Sequence, residues 1–208
     1  MEYITTEGEG KDEFIERKSR FIGYLVHVET EEEAISVINK KREEYWDASH
    51  NVYAYILRDG QIKRYSDDGE PQGTAGIPVL DVLQKEGLTD VCVVVTRYFG
   101  GTLLGAGGLV RAYSHGAKIA VDASFIKTMS PCTEISMDID YGLYGKITYI
   151  LPQYYAKTLD SVFEDTVKLK FLLKDKYLDS FKKEITEISS GTVEVTEENK
   201  YYDYIPEK

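Results

Sequence analysis

The chain holds only two cysteines in 208 residues, Cys92 and Cys132, too few for the disulfide framework of a small secreted domain. Its three histidines, His27, His50 and His115, are scattered, so a metal centre has no cluster of nitrogen or sulfur ligands to start from. No apolar run reaches the length that spans a bilayer. The N-terminus is polar and lacks the basic-then-apolar pattern of a signal peptide. The expected address is the cytoplasm, with no membrane partner. Positive charge is also short: 25 Lys and Arg stand against 36 Asp and Glu, a net charge of −11. That deficit excludes a protein that coats nucleic acid over its whole surface, because such binding draws on Lys and Arg at many phosphates. It leaves room for one local basic patch.

Hydrophobic residues make up 42% of the chain and charged residues 29%, the balance of a globular protein. The length suits two small domains, each able to build a core. Punctuation at Thr128-Met129-Ser130-Pro131 divides the chain into expected domains at 1–130 and 131–208. In the first, the pattern predicts a strand over 20–28. A helix over 31–45 follows, with Thr30 as N-cap and Glu33 reaching back in a capping box. Strands over 52–57 and 62–65 are joined at Asp59-Gly60, a hairpin signal. A loop over 66–73 leads to a helix over 74–86, stopped at Gly87. The apolar run 91–95 predicts a central strand covered on both faces. Helical spacing resumes at Leu109 and runs to about residue 124.

In the second domain the pattern predicts a strand over 134–140 and a helix through Leu143, Ile147 and Ile150, ended or kinked by Pro152. Strands over 158–163 and 167–173 follow, then an amphipathic helix through Leu178, Phe181, Ile185 and Ile188, closed by Gly191. A last strand is expected over 192–196, extending toward Tyr202. The order β-α-β-β-α-β is that of a ferredoxin-like domain. The fold class is therefore α/β of the α+β kind.

Chemistry concentrates in Thr96-Arg97-Tyr98-Phe99-Gly100-Gly101, followed by Gly105, Gly107 and Gly108 at the start of a helix. Dense glycines expose backbone N–H groups and admit positive φ. The first N–H groups of a helix lack partners and carry partial positive charge. Arg111, His115 and Lys118 share one helix face at i, i+4 and i+7, and Arg97 enters from the strand. Together these residues form a candidate anion or nucleic-acid site suited to phosphate. The glycines equally suit a tight turn and close helix–sheet packing. No P-loop follows, and the third glycine position of a dinucleotide fingerprint holds Val110. A second candidate loop carries Asp67, Asp68, Glu70 and Gly73; its carboxylates are either Mg²⁺ ligands or a solvated turn. Tyr45-Trp46 and Tyr98-Phe99 offer rings for base stacking or for packing. Arg17, Lys18 and Arg20 form a small basic cluster near the first strand. No catalytic residue, resident metal or cofactor emerges: Ser49-His50 and Ser114-His115 are sequence neighbours whose side chains diverge, and Cys92 sits in an apolar strand where a thiolate is disfavoured.

The run from Val93 through Thr96-Arg97-Tyr98-Phe99-Gly100-Gly101 to Arg111-Ala112-Tyr113 resembles the signature of the Impact/YigZ-type family. Ser66-Asp67-Asp68-Gly69-Glu70-Pro71-Gln72-Gly73 is similar to that family's second motif, and Lys18-Ser19-Arg20-Phe21-Ile22 to the start of its domain. The resemblance covers about residues 15–125, and the later half is similar to the small C-terminal domain of bacterial members. It implies a first domain with the β-α fold shared by a small-subunit ribosomal protein domain and elongation factor G, and a second like the elongation factor's C-terminal domain. It also implies a link to translation control, with RNA, the ribosome or a translation factor as partner. No settled catalytic activity comes with it. The expected function is thus a non-enzymatic, translation-associated regulator that binds through the glycine-rich site. A protein-interaction module without nucleic acid binding, and an enzyme acting on a phosphorylated small molecule or nucleotide, are the alternatives.

Overall fold

The computed structural model describes residues 1–207. Residues 3–127 form one compact unit; residues 1–2 and those from 128 onward form another.

The first unit runs β1 (Tyr3–Glu7), β2 (Glu9–Glu16), β3 (Ser19–His27), α1 (Glu31–Glu44), β4 (His50–Ile56), β5 (Lys63–Ser66), α2 (Gly76–Lys85), β6 (Val91–Tyr98) and α3 (Ala106–Asp122). Five strands make an antiparallel sheet in the order β2-β3-β6-β4-β5. β6 is its middle strand, and its unbroken apolar run has a physical cause. Val91, Val93 and Val95 pack with Leu83 of α2 and Leu109 and Tyr113 of α3, while Cys92 and Val94 pack with Ala34 and Ile38 of α1. Both faces of the sheet are therefore covered. α3 lies hard against β3: a Cβ on Gly23 would stand 2.0 Å from the Gly116 carbonyl oxygen. Only glycine permits that approach.

The chain's local chemistry explains most element ends. The Thr30 hydroxyl accepts the Glu33 N–H at 3.2 Å, while the Glu33 carboxylate accepts the Glu29 N–H at 2.7 Å, one residue before the N-cap. α2 starts at Gly76, not 74. The Asp67 carboxylate accepts the N–H groups of Gly73, Ala75 and Gly76, so the loop closes on the helix from outside.

The second unit takes its strands and helices from β7 (Phe125–Ile139), α4 (Tyr141–Ile150), β8 (Lys157–Phe163), β9 (Val167–Lys174), α5 (Asp175–Ser189) and β10 (Thr196–Asp203). A short turn containing Pro152 closes α4. β10, β7, β9 and β8 lie side by side, antiparallel throughout, which is the ferredoxin-like order. Ile135, Phe171, Ile147, Phe181 and Ile185 fill the core between sheet and helices.

Two expectations fail here. The stretch 128–131 does not interrupt the secondary structure, because β7 runs straight through it, although the compact units do divide at 127/128. Pro131 is tolerated because its register partner is Tyr202 of β10, whereas the β9 ladder begins only at Cys132; a proline at the end of a ladder forfeits no central hydrogen bond. The last strand begins at Thr196, not 192. Thr192 and Val193 instead donate their N–H groups to Ser189, closing α5.

Candidate functional site

The glycine-rich segment leaves the C-terminal end of β6 and turns into α3. Its course is fixed by the β2–β3 hairpin. A Cβ on Gly100 would lie 2.0 Å from the Lys18 carbonyl carbon and 2.1 Å from its oxygen, so two stretches of main chain touch. The Ser19 hydroxyl accepts the Gly100 N–H at 3.1 Å, and the Ser49 hydroxyl accepts the Phe99 N–H at 3.1 Å. Beyond this seam the segment is open. Gly101 and Gly105 have φ of 80° and 71°, and nothing lies within 4 Å of a Cβ built on Gly101, Gly105 or Gly107. No side chain caps α3, which leaves the N–H groups of its first turn without a side-chain partner.

Arg97 does not present itself to an anion. Its guanidinium is 95% buried on the α2/α3 face of the sheet and donates to the Glu70 carboxylate at 2.6 Å. The Tyr113 hydroxyl donates to the same carboxylate oxygen at 2.8 Å, and the Ser19 hydroxyl lies 3.4 Å from Arg97. The expected phosphate contact at Arg97 gives way to a buried ion pair that ties the loop of Glu70 to β6 and α3. Burial, with the Glu70 carboxylate against it, pushes the Tyr113 phenol well above the ordinary tyrosine range. Lys118 also departs from expectation: its ammonium is held by Glu86 at 3.1 Å and Asp122 at 2.5 Å. Thr96 is buried and donates to Asn51 at 2.7 Å.

The second loop is equally committed. Asp67 caps α2, as above. Asp68 accepts the Asn51 N–H and the Arg42 guanidinium, each at 2.6 Å. Glu70 serves Arg97 and Tyr113. Gly73, at φ 77°, turns the chain toward α2. Asp67, Asp68 and Glu70 are thus each taken up by contacts within the fold, and among the described residues no group of three or more His, Cys, Asp and Glu side chains stands where it could hold a metal ion. Burial pushes the Cys92 thiol up to about 12, which keeps it inert at neutral pH.

Arg111, His115 and Gly108 do come together. With Phe14, Leu104, Ala112, Glu16 and Arg17 they line a cleft of about 250 Å³. The His115 ring meets Phe14 edge-on at 4.5 Å. Among the described residues neither Arg111 nor Lys18 has an acidic partner, and Arg17 has only Glu16, 3.9 Å away. Arg17 and Lys18 form the two-residue hairpin turn, with φ of 45° and 67°. Tyr98 lies on the opposite face of the sheet, with its hydroxyl on Asp47 at 2.8 Å and Arg20 over its ring at 6.0 Å. Phe99 is half-exposed and Leu103 is 81% exposed.

Sequence reasoning missed Ser19, Tyr113 and Phe14 as parts of this arrangement, and gave Arg17 and Lys18 only as a small basic cluster apart from the glycine-rich site. β2 (Glu9–Glu16) was not expected from the sequence, and only its pairing with β3 makes Arg17-Lys18 a hairpin tip.

A family model described as "Impact N-terminal domain" matches residues 17–121. The chain is 36% identical over 196 residues to "IMPACT family member YvyE" of Bacillus subtilis strain 168, covering 94% of this chain and 90% of that protein. The chain belongs to the IMPACT family. The residues matched to the IMPACT N-terminal domain contain the whole glycine-rich segment, the Arg97–Glu70 pair and the cleft lining except Phe14 and Glu16. A second model, "Domain of unknown function (DUF1949)", matches residues 137–192. The IMPACT family member YigZ of Escherichia coli strain K12 is 35% identical over 182 residues, 86% of this chain and 89% of that one. A solved structure titled "Crystal structure of an hypothetical protein" is similar at a TM-score of 0.60 and 31% identity, over 95% of this chain and 98% of that one. No helix among the described residues is long and apolar enough to cross a membrane.

Proposed function

We propose that this IMPACT-family chain is a non-enzymatic, translation-associated regulator that binds RNA of the translation machinery at the end of the first unit's sheet. The observation that carries the reading is the gathering of three cations at one end of the sheet. In a chain of net charge −11, Lys18 and Arg111, which like several other lysines have no acidic partner among the described residues, stand with Arg17 beside the open glycine segment and the uncapped start of α3. Exposed N–H groups at a helix start and nearby guanidinium groups suit phosphate oxygens. All seven arginines lie between residues 17 and 111, none later, so guanidinium chemistry is confined to this unit. The same edge carries exposed Leu103, which favours a second reading: docking on a protein of the translation machinery.

The test is binding of purified protein to ribosomes and to ribosomal RNA across a salt series. Three phosphate contacts give a slope of log K on log salt of about −2 to −3. Arg111→Ala and Lys18→Ala should each shallow that slope by about 0.7 to 0.9 without lowering the melting temperature, because both side chains are exposed. Absence of salt-dependent binding to either target would remove the RNA reading. Salt-insensitive binding to ribosomes alone would move the site to a protein partner.

A further inference from the structure

We infer that the RNA taken at this site is unpaired, and that Trp46 and Tyr98 form its base-stacking platform. The inference rests on the RNA reading above and adds the class of RNA and the residues that select it.

Strand alternation decides which side chains share a face. In the register of β2, β3 and β6, Ile15, Arg20 and Tyr98 are directly cross-strand, so all three point to the face that carries α1. α1 ends at Glu44, short of this row, and leaves it uncovered. Tyr98 is tethered through its hydroxyl to Asp47, the residue after Trp46. Trp46 is 82% exposed and Ile15 72% exposed. A tryptophan left so open on a well-packed unit stands out, since this side chain is usually highly buried. Of the acids nearby, Glu13 is paired with Arg20 at 2.6 Å, and Asp47, which keeps its charge, is turned to the Tyr98 hydroxyl. What faces solvent is therefore a pair of rings with a guanidinium over one of them, the elements from which single-strand platforms are built.

Arg111 and its cleft, by contrast, lie on the α3 face. The hairpin tip Arg17-Lys18 joins the two faces at one end of the sheet. A ligand that meets the three cations and the rings together must bend round that end. A double helix is stiff over many tens of base pairs, and its bases are stacked inside. An unpaired strand bends at each nucleotide and offers its bases to aromatic side chains. Phosphates on Arg17, Lys18 and Arg111, with bases on Trp46 and Tyr98, are compatible only with the unpaired form.

Trp46 is the chain's single tryptophan, so its fluorescence reports this platform alone. The experiment titrates the full-length protein with an oligoadenylate of about 12 nucleotides, within the range of single-strand site sizes, and with an RNA duplex of equal length. Quenching of Trp46 by the single strand, tighter binding than to the duplex, and about a tenfold affinity loss in Trp46→Ala are expected. Trp46→Phe should retain most of the affinity, and both variants should melt with the parent. Equal binding of duplex and single strand with Trp46 emission unmoved would overturn the inference while the RNA reading stood. No binding of any RNA, ribosomes included, would overturn both. Quenching and single-strand preference that survive Arg111→Ala and Lys18→Ala would keep the platform and overturn the assignment of the cations.

Discussion

The Arg97 guanidinium and the Glu70 carboxylate meet at 2.6 Å with about 5% of either side chain exposed, and the Arg97 Nε has no hydrogen-bond partner. Such a pair offsets two large desolvation penalties, and removing one member leaves the other charged and buried. Arg97→Met should therefore lower stability by about 3–5 kcal/mol, read as a shifted urea midpoint. The double variant Arg97→Met/Glu70→Gln should recover much of that loss. Equal losses in single and double variants would show that the pair is not coupled.

Tyr113 sets a limit at high pH. Its folded-state pKa is raised by burial and then by Glu70, whereas in the unfolded chain it titrates near pH 10. Its contribution is fully present below about pH 10 and declines above it, because only the unfolded chain releases the proton. Tyr24 and Tyr55 are raised in the same direction, first by burial. Denaturation midpoints measured between pH 8 and 11 should fall at the alkaline end. Tyr113→Phe should shallow the fall by up to about 1.4 kcal/mol per pH unit.

Gly100 and Gly107 should answer to alanine with opposite signs. At Gly100 the methyl would enter the Lys18 backbone, and melting should drop sharply. At Gly107, inside the first turn of α3, it meets open space, and alanine should stabilise by up to about 1 kcal/mol. If RNA approaches the main chain there, the more stable Gly107→Ala protein should bind it more weakly.

Arg17 and Lys18 occupy a turn whose central residues both need positive φ, where Asn-Gly is the favoured pair. The left-handed region costs about 1–2 kcal/mol per non-glycine residue. Arg17→Asn/Lys18→Gly should raise the melting temperature. It should also cut the salt slope of RNA binding by about 1.4 to 1.8. A gain in stability with unchanged binding would mean that these cations take no part.

Much of the fold could be read from the chain because its patterns are local. The apolar run at 91–95, the Thr30 cap and the alternation of Val167, Leu169 and Phe171 each report burial by themselves. Pro131 misled because a proline's effect depends on which neighbouring strand wants its N–H, a fact held in β9 and β10. The Arg97 reading failed for a similar reason. A basic residue beside glycines looks like a phosphate ligand until a carboxylate 27 residues earlier is brought against it. Arg111, His115 and Gly108 were legible together because two successive turns of one helix set their spacing.

The contact between Gly100 and residues 18–19 is made of main chain and a single hydroxyl. The outline of the segment therefore owes nothing to the side chains it displays. Thr102 and Leu103 can be exchanged without moving the frame that holds them. The fold thus separates a fixed mount from an interchangeable face, and a descendant could be refitted to a different partner by substitutions that leave the mount intact.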